Sequence, residues 1–501
     1  MPLVMGIDVG TQGARVIVCD ELGHVVTTAS TTFSDAVRVH NLPDGWFEQE
    51  PQEWWYAVRS CLREVTAGLP KLGWTPDDVI AVAVDSTSGT ILPVDKQGRA
   101  LRPAIMYNDS RAEAEALECN SAGGELVRKL GCRFGSSFGL PKILWLKRHE
   151  PQVWERSRWV IHAADYIVGK LTGQFGVSDY SNALKTGYDL AELGWPRFIS
   201  DALDIDIEKL PRVVRPGEAV GYITAECSVE TGLSRRTLVT AGVSDGTAGF
   251  LASGASEVGD WNSTLGTTLV LRGISEELLR DPQGRVYCHR HPDGWWLPGG
   301  ASNVGGECLS KLFADADLPS MDDAVSKLIP SRLSCYPLMR RGERFPFVQA
   351  DAGGFFPNVA GDGAELYAAC LEGVAYVERW CYEVMQELGA PVGDTIYSTG
   401  GGTRSVVWTA IRASVLNKRI CKPAVTESAM GSAITAASQT LYRCVSEAVR
   451  AMVKYDSTID PDDSLVAHYE EGYREFRKQC GLRGLGTCCS EYTNRRRSDR
   501  G

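Results

Sequence analysis

The chain has 501 residues, 44% of them apolar, enough for two or three domains that each bury a core. With 52 basic against 63 acidic side chains the net charge is −11, which excludes a broad basic footprint for nucleic acid. No window approaches the roughly 18 uninterrupted apolar residues of a membrane-spanning helix, and Met1-Pro-Leu-Val-Met-Gly-Ile-Asp8 lacks the features of a signal peptide, so a cytoplasmic protein without membrane partners is expected.

The 15 cysteines are odd in number and form no Cys-x-x-Cys pair, so they read as reduced thiols that fill cores. In chain order, Val4 to Asp20 is two β-rich runs joined by a glycine-bearing turn, a β-hairpin. Trp54, Val58, Cys61, Leu62 and Val65 then recur at helical spacing behind Pro51. Val79 to Asp95 repeats the hairpin style and places Asp85 at a strand end before a Ser/Thr/Gly loop. Midway, Val239 to Gly254 predicts a strand, a small-residue turn and a helix, and a second domain is expected to begin there.

Asn262 to Leu271 reads as a strand pair turning on Gly266, followed by the glycine-dense stretch Leu297 to Gly306. A long helix is predicted from Glu365 to Leu388, stopped by Gly389. The strand Asp394 to Thr399 runs into Gly400-Gly401-Gly402 and a further helix. The expected division is residues 1–241, residues 242–440, and a helical extension over 441–501 that ends in a solvated basic tail, Asn494 to Gly501.

Four loops join glycine to Asp, Ser or Thr at strand ends. They are Gly6-Ile7-Asp8-Val9-Gly10-Thr11-Gln12-Gly13, Ser244-Asp245-Gly246-Thr247, Thr264-Leu265-Gly266-Thr267-Thr268, and Gly400-Gly401-Gly402. Turns free of Cβ atoms let backbone N–H groups converge on phosphate oxygens, hydroxyls add donors, and a carboxylate can hold magnesium. One such turn is ordinary punctuation; four across both halves point to a nucleotide triphosphate. Gly169-Lys170 is followed by leucine and is no Walker A, and neither a Rossmann glycine fingerprint nor a His-Arg-Asp kinase loop is present.

These loops resemble those of the actin-like, ribonuclease H-like ATPases, and within them the FGGY carbohydrate kinases. Gly45-Trp-Phe-Glu-Gln-Glu-Pro-Gln-Glu-Trp-Trp55, Tyr107-Asn-Asp-Ser-Arg111, Pro141-Lys-Ile-Leu-Trp-Leu-Lys147 and Glu365 to Tyr376 are similar to that family's segments. The resemblance implies an α/β fold of two actin-like domains with a catalytic cleft between them, and ATP-dependent phosphorylation of a small sugar or polyol, with Mg2+. It makes Asp245 the general base, as an attacking hydroxyl needs a proton acceptor. Asp8 then stands beside the phosphates and, through water, the Mg2+, with Gly10, Thr11, Gln12 and Gly13 around them. The nucleotide falls to Gly266, Thr267, Thr268, Gly400, Gly401 and Gly402, and the sugar to Asp8, Ser88, Asn108 and Asp245. Asp109 and Arg111 either help line that pocket or form a salt-bridged loop.

Xylulokinases carry Met-His-Gly where this chain has Asp85-Ser-Thr-Ser-Gly-Thr90. This loop, with Ser181 to Tyr188 and the Pro298 to Gly306 stretch, looks more like the D-ribulose kinase group, which puts D-ribulose ahead of D-xylulose as the expected substrate. Hydroxyls such as that of Ser88 suit a neutral polyol, which asks for donors and acceptors and not a cationic clamp. The expected partner is a small sugar, with the chain a monomer or homodimer. An actin-like or chaperone-like ATPase would share the phosphate loops but would not need the segments Trp46 to Trp55 and Tyr107 to Arg111. His289 and His291, the Asp204, Asp206 and Glu208 cluster, and Trp54, Trp55 and Trp145 read as structural.

Overall fold

The computed structural model describes residues 1–358 and 363–486. Cys488-Cys489 and the basic tail lie outside the described residues. The chain divides into two compact units. The first comprises Met1–Glu257, Cys288–Leu297 and Val425–Lys454, and the second Val258–Tyr287, Pro298–Ala424 and the chain from Tyr455 onward.

In the first unit, β1 (Leu3–Val9), β2 (Gly13–Asp20) and β3 (Val25–Thr32) form an antiparallel meander. β1 also pairs in parallel with β4 (Val79–Ser86). β5 (Ala219–Tyr222), β6 (Leu238–Thr240) and β7 (Val243–Ser244) complete a seven-stranded mixed sheet in the order β5-β6-β4-β1-β2-β3, with β7 on β4. β1 is buried along its whole length because both faces are covered, which is why it reads as a continuous apolar run. Helix α1 (Pro51–Gly68) supplies the crossover that a parallel β1–β4 pair requires, and its Trp54, Val58, Cys61 and Leu62 are core residues.

The other side of β1 is met by the helix Ser428–Ala437, which is buried all round. Its approach is so close that a Cβ on Gly6 would sit 1.7 Å from the carbonyl oxygen of Ala429. Small residues on strand and helix are therefore a packing requirement.

Three expectations change here. The segment after Val79 is not a second hairpin: β4 lies parallel to β1, and Leu92–Val94 pairs instead with Trp159–Ile161. The boundary expected at residue 242 falls inside the first unit, since β7 adds to β4 through Val243 opposite Asp85 and carries Asp245 with it. The segment expected as a separate extension is divided: residues up to Lys454 belong to the first unit, and Tyr455–Ile459 is a strand of the second sheet.

A second seven-stranded sheet contains β8 (Trp261–Leu265), β9 (Leu269–Gly273), β10 (Tyr287–Arg290), β11 (Trp296–Ser302), β12 (Thr395–Thr399), β13 (Arg419–Pro423) and β14 (Tyr455–Ile459). Their order is β10-β11-β9-β8-β12-β13-β14. β8 and β9 form the predicted pair about Gly266, and β8 lies parallel to β12. The helix expected over Glu365–Leu388 spans Ala364–Glu387, and Gly389 ends it at φ +93°.

Candidate active site

The first unit contains a cavity of about 310 Å³ lined by Asp8, Gly10, Thr11, Thr87, Ser88, Tyr107, Lys185, Asp245 and Ser428. Three loops reach it from the ends of parallel neighbours: the β1–β2 turn, the loop after β4, and the start of α3 (Asp245–Ala252) behind β7. Loops at the carboxyl ends of adjacent strands are where an open α/β sheet gathers polar groups.

Asp8 is buried on β1 directly opposite Asp85 on β4, and Arg15 meets it at 3.1 Å. Burial raises the Asp8 pKa, with Asp85 and Arg15 pulling the other way. Asp85 is wholly buried, and burial first, then the charges of Asp8 and Asp245, hold it well above the ordinary carboxylate range. The Ser432 hydroxyl donates to its Oδ2 at 2.6 Å, while Oδ1 has no acceptor role filled.

Asp245 opens α3, whose N-cap position is Ser244. Its carboxylate accepts the N–H of Gly246 at 2.7 Å, and the side chain is half-buried at the cavity. Gly10 closes the first turn on the Gly13 carbonyl at 3.0 Å, and a Cβ on Gly13 would stand 2.4 Å from the Thr31 oxygen. Thr11 donates to the Tyr107 hydroxyl at 3.4 Å. Gln12 is exposed and does not line the cavity.

Asn108, expected at the sugar, is exposed and lies outside the cavity lining. Its neighbours settle the open alternative as a buried loop: Arg111 pairs with Asp109 at 2.7 Å and with Glu48 at 2.7 Å, all three inaccessible or nearly so. The guanidinium lies 3.8 Å from the Trp46 ring centre, and the Phe47 N–H donates to Asp109 at 2.6 Å. The segments Gly45–Trp55 and Tyr107–Arg111 are thus one scaffold, which presents Tyr107 to the cavity.

Sequence reasoning missed Lys185, Thr87, Tyr107 and Ser428 in the lining. Lys185 is a cation where none was expected; its ammonium donates to the Ser88 carbonyl at 3.2 Å. The sequence signal was available in Leu184-Lys185-Thr186-Gly187, a one-turn helix ended by Gly187 at φ +90°.

The remaining candidate loops belong to the second unit. Gly266, between β8 and β9, accepts the N–H of Gly306 at 2.8 Å and donates to the Thr268 carbonyl at 3.0 Å. Gly400 follows β12 at φ +88°, and a Cβ there would meet the Leu265 carbonyl oxygen at 2.5 Å. Gly402 has the Leu265 side chain at the same distance from a built Cβ. The loops Gly266–Thr268 and Gly400–Gly402 therefore flank one residue, Leu265. Gly401 has nothing within 4 Å of a built Cβ, so its backbone is open to a ligand.

Of the features read as structural, His291 is fully buried, accepts the Asp293 N–H at 3.0 Å, and is pushed down to about 4 by burial. Asp204 pairs with Lys147 at 2.7 Å.

The N-terminal domain model of the FGGY family of carbohydrate kinases matches residues 3–252, and the C-terminal domain model of that family matches residues 261–440. The chain is 29% identical over 429 residues to a xylulose kinase of Escherichia coli, across 83% of this chain and 86% of that one. It is 26% identical over 487 residues to a xylulose kinase of Staphylococcus epidermidis, across 95% of each. The crystal structure of xylulose kinase from Rhodospirillum rubrum matches with a TM-score of 0.84 at 28% identity, over 96% of this chain and 98% of that one.

Proposed function

Because the chain belongs to the FGGY family of carbohydrate kinases, and so is an ATP-dependent sugar kinase, we propose that it phosphorylates a ketopentose, with D-xylulose as first acceptor. The observation that carries this reading is that Asp8, Ser88 and Asp245, distant in sequence, line one small polar cavity together with Lys185. The relatives named xylulose kinase move D-xylulose ahead of the D-ribulose expected from the sequence. D-Ribulose stands as the second reading on the Asp85–Thr90 loop, which lacks the Met-His-Gly of xylulokinases, together with Ser181 to Tyr188 and Pro298 to Gly306.

In this reading Asp245 accepts the proton of the attacking hydroxyl, and Ser88, Thr87 and Lys185 orient the sugar by hydrogen bonds. Lys185 adds a charge-assisted donor suited to a ketose carbonyl or hydroxyl oxygen. Gly266–Thr268 and Gly400–Gly402 take the nucleotide through backbone N–H groups. The carboxylates of Asp8 and Asp245 form the hard oxygen set that suits a Mg2+ keeping several waters. Bound there, Mg2+ would neutralise charge on the transferred phosphoryl group.

Purified protein assayed for ADP release with D-xylulose, D-ribulose, L-ribulose, ribitol, glycerol and no sugar tests the assignment. The expected result is release stimulated most by a ketopentose; equal release without sugar overturns it. Asp8→Ala is expected to weaken the apparent Mg2+ affinity by about 10- to 100-fold, the range for groups that orient a metal's ligands. A magnesium titration unchanged by the substitution, in a protein with wild-type melting, refutes that role.

A further inference from the structure

Helix α2 (Gly139–His149) carries Lys142, whose side chain is wholly buried. Its ammonium donates to the carbonyl of Gly89 at 3.0 Å and to the carbonyl of Tyr107 at 3.4 Å. No carboxylate among the described residues lies within ion-pair distance of it, and Asp109, the acid that acts on it, is already paired with Arg111. A buried cation without a paired carboxylate is costly, and an apolar side chain could fill the same space. What an apolar residue could not do is hold two carbonyls from two loops.

Those loops are the ones that line the cavity. Gly89 follows Ser88, and it adopts φ +89°, where a Cβ would stand 2.2 Å from the Ser137 carbonyl oxygen. Tyr107 reaches the cavity from the Trp46–Arg111 scaffold and receives the Thr11 hydroxyl. We propose that Lys142 is a positioning residue for the sugar: its ammonium clamps the Ser88–Gly89 turn to Tyr107 through charge-assisted bonds stronger than those of a neutral amine, so that sugar binding favours protonated Lys142. This inference rests on the ketopentose reading of the cavity.

Burial pushes the amine down to about 7; Asp109 opposes this, and Lys185 and Arg111 act in the same direction as burial. Of the other charges on elements packed against α2, Glu115 and Glu118 of the helix Glu113–Ala122 pair with His149 and Arg148, Glu150 pairs with Arg102, and Glu155 acts on Lys209. The clamp thus changes charge within the range of an ordinary binding experiment.

The test is equilibrium binding of D-xylulose and of D-ribulose to the full chain between pH 6 and pH 8.5, without nucleotide. Affinity for the sugar that binds is expected to fall about tenfold from pH 6 to pH 8, as the proton is lost. In Lys142→Gln, whose side chain keeps N–H donors but does not titrate, this pH dependence should vanish. In Lys142→Met binding should be at least about tenfold weaker throughout; if that variant fails to fold, the glutamine variant decides alone. Affinity that is flat with pH in the wild type, or a slope that persists in Lys142→Gln, overturns the inference while leaving the functional reading intact. Wild type that binds neither pentulose overturns both.

Discussion

Asp245→Ala is expected to lower ketose-stimulated ADP formation by about 10² to 10⁴, the usual worth of one general base. The carboxylate sits at the first position of α3, half-buried at the cavity, with its Oδ1 oriented by the Gly246 N–H. Its competing role is a contact to the first turn of that helix, the Gly246 N–H, since Ser244 at the N-cap position makes no side-chain cap hydrogen bond. Loss of a mere helix contact would cost about 1 kcal/mol of stability and leave turnover intact. A general base gives the opposite pattern: kcat falls, while the melting temperature and the affinity for ketose stay close to wild type. Turnover that survives the substitution would instead overturn the general-base role of Asp245. Asp245→Asn, which keeps the shape and the hydrogen bond to Gly246, should be as inactive as the alanine variant.

Local chemistry was legible in the sequence, and long-range pairing was not. The β1–β2 turn, the β8–β9 turn about Gly266 and the long helix stopped by Gly389 all follow from turn residues and periodicity within a few positions. The position of Asp245 relative to Asp8 depends on β7 adding to β4, a pairing across more than 150 residues that no local pattern encodes. For the same reason the boundary expected at residue 242 precedes both β7 and α3, which belong to the first unit. The helix Ser428–Ala437 was hidden because its small residues look featureless until Gly6 and Ala248 are seen to touch it. A Cβ on Gly431 would stand 1.9 Å from the Ala248 carbonyl oxygen.

Within the site, residues on turns carry a local signature in the sequence and those on the supporting scaffold do not. Asn108 belongs to a segment whose buried members face the other way: Asp109 and Arg111 spend their charges on each other and on Glu48. Lys185 was passed over because a neutral sugar needs no counter-charge, yet an ammonium is also a hydrogen-bond donor. Lys142 stood in plain view in Pro141-Lys142-Ile143-Leu144-Trp145, but only the fold shows which carbonyls it reaches.

Arg412→Met is expected to cost about 3 to 5 kcal/mol of stability, because it strands a buried carboxylate. Arg412 lies on α5 (Val406–Leu416) and pairs at 2.7 Å with Glu378 on α4 (Ala364–Glu387), both side chains fully inaccessible. The guanidinium also donates to Ser398 at 2.8 Å and to Ser263 at 3.1 Å. Those serines face each other across the parallel pair of β8 and β12, two residues before Leu265 and Gly400 respectively. The ion pair therefore fixes the two strands just behind both loops assigned to the nucleotide. Chemical denaturation measures the loss, and the double variant Arg412→Met, Glu378→Met should recover most of it, since apolar groups of similar volume replace a buried pair at little cost. If the pair also sets the spacing of Gly266–Thr268 and Gly400–Gly402, the double variant regains stability but keeps a raised KM for ATP with the ketose KM unchanged. Recovery of both together would leave the pair a purely structural clamp.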